Sequence, residues 1–372
     1  MTVFNPTVII YIYIYIIVSL IVFDIFYTLN DKVQAKKGKR KLYKYKESIQ
    51  VQIDKIGNGE VIDKEHLRNL YWKLRGINNL LTYQEAIRQL KLIDCEKVDK
   101  YLIMCSPVLQ FFAHFYGQKD SIYKAFFAAF LSKYYPFHLG GNGIIDEAIM
   151  KYVEYNSIYC RENAMLYFYE RGSSNLVVTA LKKIDEAGLY YNRKLLSNDL
   201  LKFKGDKKKL AKQLFEEFDS FSVSFQVSIV NYLRFSSIDL NDSLFQILIS
   251  KSYDKEVNLA IIRYFGKNVY SKILPYLLTI LKMDDIDVEY KIIVCQIISA
   301  YDCKDVRDAL ITCVSSSNWY VRKNAASSLA KMKLTVSDKE KLLGIKDKYG
   351  KQMLKYTFKA VINKNKKKGE VV

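Results

Sequence analysis

The segment NWYVRKNAASSLAKM, from Asn318 to Met332, decides the fold of this chain. Val321, Ala325 and Leu329 follow one another at intervals of four residues, so they fall on one stripe of a helix. The small side chains of Ala325 and Ala326 let a neighbouring helix approach closely. The segment therefore predicts a helix that packs against a second helix.

The same nine-residue frame recurs upstream of Val321. Its copies begin 31, 33, 32, 33 and 32 residues apart, at Tyr290, Val257, Phe225, Asn192 and Cys160. A repeat of this length suits a pair of helices joined by two short turns. The intervening residues carry apolar stripes at helical spacing, which predict a first helix for each pair at 174–184, 208–218, 242–252, 271–282 and 304–314.

These copies resemble the HEAT repeats of bacterial single-pass membrane-anchored HEAT-repeat proteins. The resemblance rests on REN-A at Arg161 to Ala164, NWYVR-NA at Asn318 to Ala325 and DKYGKQMLKY at Asp347 to Tyr356. It covers residues 145–356 and implies an all-α protein, with an N-terminal transmembrane helix followed by an armadillo-like α-solenoid of about six or more helix pairs. First helices of HEAT repeats are often kinked by proline, which accommodates Pro275.

An apolar run near the N-terminus, VIIYIYIYIIVSLIVFDIFYTL at residues 8–29, contains one charged side chain, that of Asp24. As a helix it is about 33 Å long, against a hydrocarbon core of about 30 Å. The alternation of Tyr11, Tyr13 and Tyr15 with isoleucine could instead indicate a β-strand of a soluble core. The length of the run and its basic flank favour a membrane helix, and no small-residue cleavage site follows it.

Orientation follows from the positive charge beyond this run. Eight basic residues lie just downstream, at Lys32, Lys36, Lys37, Lys39, Arg40, Lys41, Lys44 and Lys46. Because Lys and Arg are held on the cytoplasmic side, we expect a single-pass protein of the cell membrane with its N-terminus outside and the bulk of the chain in the cytoplasm. Anionic lipid is the expected partner of Lys36, Lys37, Lys39, Arg40 and Lys41, at about 1 kcal/mol per residue.

The expected domain organisation has five parts. They are a transmembrane anchor at 1–29, a basic juxtamembrane stalk at 30–50, a helical cap or degenerate repeats at 51–140, the HEAT-type solenoid at 141–360 and a basic tail at 361–372. About half of the net charge of +19 lies at the two ends, since residues 31–47 contribute +6 and residues 363–372 contribute +3. A basic segment beside a membrane helix is explained by topology, so this charge is weak support for nucleic-acid binding.

The second position of each frame is a candidate site. It holds a cation in Arg161, Arg193, Lys291 and Arg322, whereas Gln226 and Asn258 interrupt the row. The row could bind a ligand, or it could bond an acidic or carbonyl group of the adjoining repeat. The neighbouring Asn163 and Asn324 belong to the same set. Trp319 and Tyr320 could form an exposed aromatic site for a partner, or they could seal the last layer of the solenoid.

Residues that would support catalysis are scarce. The three histidines are scattered, the six cysteines form no CxxC pair, and neither G-x-S-x-G nor H-E-x-x-H occurs. The cluster HLGGNG at residues 138–143 lacks the lysine of a phosphate loop and a preceding strand, which favours a turn. We therefore expect no enzyme activity, no cofactor and no metal site.

The function expected from this organisation is that of a membrane-anchored cytoplasmic scaffold or adaptor whose repeat surface binds a protein partner. Proteins similar to this one tend to accompany membrane glycosyltransferases of exopolysaccharide synthesis, so the resemblance implies a partner of that kind. The alternative is a nucleic-acid-binding HEAT protein that uses a basic groove, and an enzyme ranks third.

Overall fold

The computed structural model of the protein describes the backbone of residues 6–236 and 238–369 and the side chains of residues 10–236 and 238–360. The described residues form 20 α-helices and four short 3-10 helices, without a β-strand. The all-α prediction is thus confirmed, and the strand alternative for Tyr11 to Tyr15 is wrong. The helices divide between two compact units, Met1–Arg171 (unit 1) and Gly172–Val372 (unit 2).

Unit 1 contains eight α-helices. They are α1 (Pro6–Gly57), α2 (Lys64–Lys73), α3 (Ile77–Lys91), α4 (Cys95–Met104), α5 (Ser106–Gly117), α6 (Ser121–Tyr134), α7 (Gly143–Met150) and α8 (Ile158–Arg171).

Helix α1 is 52 residues long and is long and apolar enough to cross a membrane. The large apolar side chains between Ile10 and Leu29 are all exposed, from 46% to 74%, because no other part of unit 1 covers them. The same helix continues through the predicted stalk, and near its end Tyr45, Ile49 and Ile53 are buried against α3 and α4. The stalk is therefore a helical extension of the folded unit.

The other helices of unit 1 pack in a regular register. Helix α5 contacts α2 and α7, while α6 contacts α3 and lies along α8 in the most extensive helix contact of the chain. Buried rings of Tyr116, Phe127, Phe130 and Tyr134 fill this core. The glycine-rich segment at 138–143 is a turn that leads into α7, and Gly140 there adopts a φ of +127°.

Unit 2 contains twelve α-helices. They are α9 (Ser174–Glu186), α10 (Arg193–Leu200), α11 (Lys207–Glu216), α12 (Val223–Phe235), α13 (Asn241–Ser250), α14 (Lys255–Phe265), α15 (Leu274–Lys282), α16 (Val288–Ile297), α17 (Lys304–Cys313), α18 (Trp319–Leu329), α19 (Val336–Leu343) and α20 (Lys348–Gly369).

The predicted first and second helices alternate through unit 2. The second helices contact one another in sequence, α10 with α12, α12 with α14, α14 with α16, and α16 with α18. Among the first helices, α9 contacts α11, α15 contacts α17, and α17 contacts α19. The second helices from α10 to α18, and these three pairs of first helices, thus pack on their counterparts one repeat further along. Pro275 lies in the first turn of α15 after a 3-10 turn, so it starts this helix instead of kinking it.

Polar contacts follow the same register. The Asn324 side chain donates to the Ile292 carbonyl 32 residues earlier at 2.9 Å, and Asn268 donates to the Arg234 carbonyl 34 residues earlier at 3.3 Å. The backbones of Gly172 and Gly205 meet so closely that a Cβ on Gly205 would lie 2.1 Å from the Gly172 carbonyl oxygen. Successive copies of the frame are therefore in direct contact.

Candidate functional site

A groove of about 780 Å³ lies between α18 and α20 in unit 2. Its lining combines aromatic rings, cations and small polar or apolar side chains: Trp319, Arg322, Lys323, Ser327, Lys331, Tyr349, Gln352, Met353, Tyr356, Thr357 and Ala360. On each of the two helices the lining residues are three or four positions apart, so they lie on one face of that helix. The groove is thus a surface built by two helices that contact each other.

The start of α18 is fixed by its cap. The Asn318 side chain accepts hydrogen bonds from the backbone N–H groups of Tyr320 at 2.9 Å and Val321 at 3.2 Å. These bonds satisfy two of the N–H groups that a helix start leaves without a partner. The cap sets where α18 begins and hence which of its side chains face the groove.

Aromatic rings are exposed along this surface. Trp319 is 47% exposed, and its ring meets that of Tyr320 edge to face with centroids 5.0 Å apart. The Lys323 ammonium lies 4.8 Å from the centre of the Trp319 ring, and the Arg322 guanidinium lies 5.6 Å from that of Tyr349. Cations over ring faces hold both partners in position. Tyr320 is exposed beside the groove and does not line it.

The groove is electropositive. Arg322, Lys323 and Lys331 line it, and no Asp, Glu, His or Cys side chain does so among the described residues. The surface can therefore attract an anionic group and stack apolar or planar groups. Its described lining residues include no carboxylate or imidazole of the kind that serves as a general base.

Two cations of the predicted row, Arg322 and Arg161, have the same structural role. Arg322 donates to the carbonyls of Ser316 at 2.7 Å and Ser317 at 2.9 Å, and Arg161 donates to the Tyr155 carbonyl at 3.0 Å. The amides at the same position do likewise, from Asn258 to Tyr253 at 3.1 Å and from Gln226 to Phe218 at 3.1 Å.

These acceptors belong to the same repeat as the donor, not to the adjoining repeat as the sequence suggested. Side chains at a helix start tilt back towards its N-terminus, so they reach the loop that precedes the helix. The amide side chains of Gln226 and Asn258 also donate to backbone carbonyls that precede their helix. They therefore continue the pattern of hydrogen bonds made by Arg161 and Arg322.

Two members of the row differ. Arg193 reaches towards later copies, with its Nη1 3.3 Å from the Glu256 Oε2 atom and its Nε 3.4 Å from the Ser224 hydroxyl. Lys291 lies 3.9 Å from Asp284.

The remaining predicted residues are spread over both units. Asn163 donates to the Tyr159 carbonyl at 2.9 Å and lines a separate pocket of about 350 Å³ in unit 1. Asn324 bonds the preceding copy, as described above. The structure therefore brings Trp319 and Arg322 together in the groove and leaves the others apart.

No protein-family model matches the chain, and no curated protein matches it. The resemblance to HEAT-repeat proteins accordingly stays a prediction that rests on the repeat itself.

Sequence reasoning missed Lys323, Lys331, Tyr349 and Tyr356, which complete the groove. The heptad spacing of Tyr349 and Tyr356 marks one face of α20, but nothing in the sequence says that this face lies beside α18.

The stalk residues form a second candidate surface. Lys36, Lys37, Lys39 and Arg40 are exposed on α1, and Lys41 is half-buried where the helix approaches α2. None of the five is within ion-pair distance of a carboxylate in the part of the chain that the structure describes. Within the same residues, no group of three or more His, Cys, Asp or Glu side chains could hold a metal ion.

Proposed function

We propose that the protein is a membrane-anchored adaptor that binds a protein partner through the groove between α18 and α20 and catalyses no reaction itself. The observation that carries the proposal is the groove's combination, among the side chains that the structure describes, of exposed rings with three cations and no carboxylate. Aromatic and arginine side chains supply most of the binding energy in protein interfaces. The groove's positive charge suits a partner segment that combines acidic and apolar side chains.

The repeat supports an α-solenoid as the scaffold. Copies of the frame begin 31 to 33 residues apart, and counterpart helices of neighbouring copies contact one another. Each helix pair of such an array buries its apolar face against its neighbours. Such arrays bind along extended surfaces, and the α18–α20 groove belongs to a surface of this kind.

The anchor is the second part of the proposal. Residues 8–29 cross the cell membrane, and the basic residues that follow keep the rest of the chain in the cytoplasm and attract anionic lipid. A tether raises the effective concentration of a partner that lies in the same membrane, so a groove of modest affinity suffices. A membrane glycosyltransferase, the partner implied by the family resemblance, fits this geometry.

The test is affinity purification of the tagged full-length protein from detergent-solubilised membranes, with mass spectrometry of the proteins retained. We expect Trp319→Ala and Lys323→Ala to lose the partner that the unchanged protein retains.

Trp72 provides a matched control, because it is also exposed and also stacks with a cation, the Arg75 guanidinium at 4.3 Å. Trp72→Ala should leave the partner bound. Equal retention by the Trp319 and Trp72 variants, or no specific partner of the unchanged protein, would contradict the assignment of the groove.

Nucleic-acid binding is the second candidate, because rings interleaved with cations also suit single-stranded nucleic acid. Nuclease treatment before the purification distinguishes binding of a protein partner from binding of nucleic acid. A partner whose retention survives the nuclease is bound as a protein. Retention that disappears with the nuclease, and falls steeply with salt, would favour the nucleic-acid reading.

A further inference from the structure

A small pocket in unit 1 lies where the basic part of α1 meets α2 and α3. Its volume is about 180 Å³, and its polar lining includes Lys41, Lys44, Ser48, His66, Asn69 and Lys73. No Asp or Glu side chain lines it among the described residues. Pockets for drug-sized ligands measure about 300–1,000 Å³. This pocket is therefore suited to one small chemical group.

The three lysines of the pocket lack counter-ions. None of them is within ion-pair distance of a carboxylate in the described part of the chain, whereas Lys55 pairs with Asp63 at 2.8 Å and Lys100 pairs with Glu96 at 2.9 Å in the same unit. Like charges that face one pocket repel each other, and a bound anion relieves that repulsion.

His66 forms a buried wall of the pocket. Its ring is buried, with Nδ1 3.1 Å from the Ser48 hydroxyl and Nε2 2.9 Å from the Tyr101 hydroxyl of α4. Burial, and then the charge of Lys73, lower the pKa of His66 to about 4, while Asp63 opposes them. The imidazole is therefore neutral near pH 7, and both of its nitrogens already have hydroxyl partners. A bound anion acts on it through its charge.

We propose that this pocket binds a phosphate group through the ammonium groups of Lys41, Lys44 and Lys73, with Ser48 and Asn69 as hydrogen-bond donors. Lysine is a compact point charge that suits phosphate oxygens. A phosphate dianion offsets two of the three positive charges, whereas a carboxylate offsets one. The site is independent of the α18–α20 groove and would stand if the adaptor proposal failed.

We infer that the phosphate group comes from a soluble ligand, and this step rests on the proposed membrane anchor. With residues 8–29 in the bilayer, Lys44 lies 15 residues beyond Leu29 on one unbroken helix, about 22 Å along its axis. Headgroup layers extend only about 5–8 Å beyond the hydrocarbon core on each side. A helix tilt of about 40° still leaves roughly 17 Å, which is out of reach of a phospholipid phosphate.

The test follows the histidine resonances of the full-length protein by NMR while inorganic phosphate is added. The chain has three histidines, so His114 and His138 serve as internal references. We expect a saturable shift of the His66 signal and a rise in its pKa, because an anion stabilises the imidazolium. Lys44→Ala with Lys73→Ala should weaken phosphate binding about tenfold or more, as loss of charge-assisted hydrogen bonds predicts.

The matched control is Lys46→Ala with Lys64→Ala. It removes the same charge from the same two helices outside the pocket, and it should leave the affinity unchanged. All four side chains are at least partly exposed, and the contact removed with Lys73 is that of its ammonium with the Tyr45 ring, whose centre is 5.8 Å away. Equal weakening by the two double variants, or no saturable shift of His66, would overturn the site. A shift with anionic vesicles but none with inorganic phosphate would overturn the soluble ligand in favour of a lipid headgroup.

Discussion

At the scale of single residues, a buried carboxylate in unit 1 depends on a glycine. Asp146 accepts a hydrogen bond from the Tyr167 hydroxyl at 2.6 Å, and its Oδ2 lies 3.4 Å from the Nε of Arg171. The Arg171 guanidinium lies against Gly141, where an added Cβ would be 1.8 Å away. A larger residue at 141 would therefore push the Arg171 guanidinium from its present place beside Asp146.

Replacing Gly141 by alanine should lower the free energy of unfolding by about 1 kcal/mol, because Arg171 is displaced and the buried charge loses a partner. Gly143→Ala is the control, since a Cβ there meets no atom within 4 Å. Urea unfolding of both variants checks the effect. In an Arg171→Ala background the Gly141 substitution should cost nothing, and an undiminished cost there would refute the explanation.

His66 makes the stability of unit 1 depend on pH. Its pKa in the folded protein, about 4, lies below the unfolded value of about 6.5, so the unfolded chain takes up the proton first. The contribution of His66 is complete above pH 6.5 and falls as pH decreases from 6.5 to 4, by about 2 kcal/mol. His66→Gln should flatten this part of the stability profile relative to the unchanged protein, whereas a substitution of the exposed His114 should not. Parallel stability profiles for all three proteins would rule out His66 as the cause of the pH dependence.

At the scale of elements, the cap of α18 links stability to the groove. Asn318→Ala leaves two N–H groups of the first turn without their acceptor, at a cost of about 1 kcal/mol, and frays the turn that carries Trp319 and Arg322. Unfolding free energy and partner retention should both fall. Asn318→Ser preserves an acceptor oxygen and should restore both. A variant that loses stability but retains the partner fully would show that partner binding does not depend on this turn.

Helix α1 shows how one element serves two environments. Its first half is apolar on every side, whereas its last turns are buried on one side only, at Tyr45, Ile49 and Ile53. The change from one pattern to the other occurs without a break in the helix. A truncated protein that begins at Lys46 would lose Tyr45 from the core, so a soluble variant should begin before it.

At the scale of the whole molecule, we expect the full-length protein to stay in the membrane fraction after an alkaline carbonate wash. A variant that begins at Lys32 lacks the apolar run and should move to the soluble fraction with its helical circular dichroism preserved, because Ile10 to Leu29 make no buried contact in unit 1. Full-length protein released by the wash would contradict a spanning helix. Truncated protein that stays in the membrane only at low salt would indicate binding of the basic stalk to anionic lipid.

The sequence by itself determined the repeated helices from α8 to α18 and the start of α1. The frame at Asn318 and its copies predicted α8, α10, α12, α14, α16 and α18 to within a few residues, and the apolar run predicted the start of α1. These are local properties, since helical periodicity, an asparagine cap and the length of an apolar run act over a few turns of one segment.

Only the tertiary structure decided the partners of the side chains. Trp319 lies beside Tyr349 and Tyr356 because α20 packs on α18. Lys44 lies near Lys73 because α2 meets α1 where His66 contacts Ser48. Arg322 bonds the loop of its own repeat while Arg193 reaches later copies, although the two occupy the same position of the frame. The physical reason is that such contacts depend on how separate helices pack. The periodicity of one helix shows which face is apolar, but it does not specify which helix packs against that face.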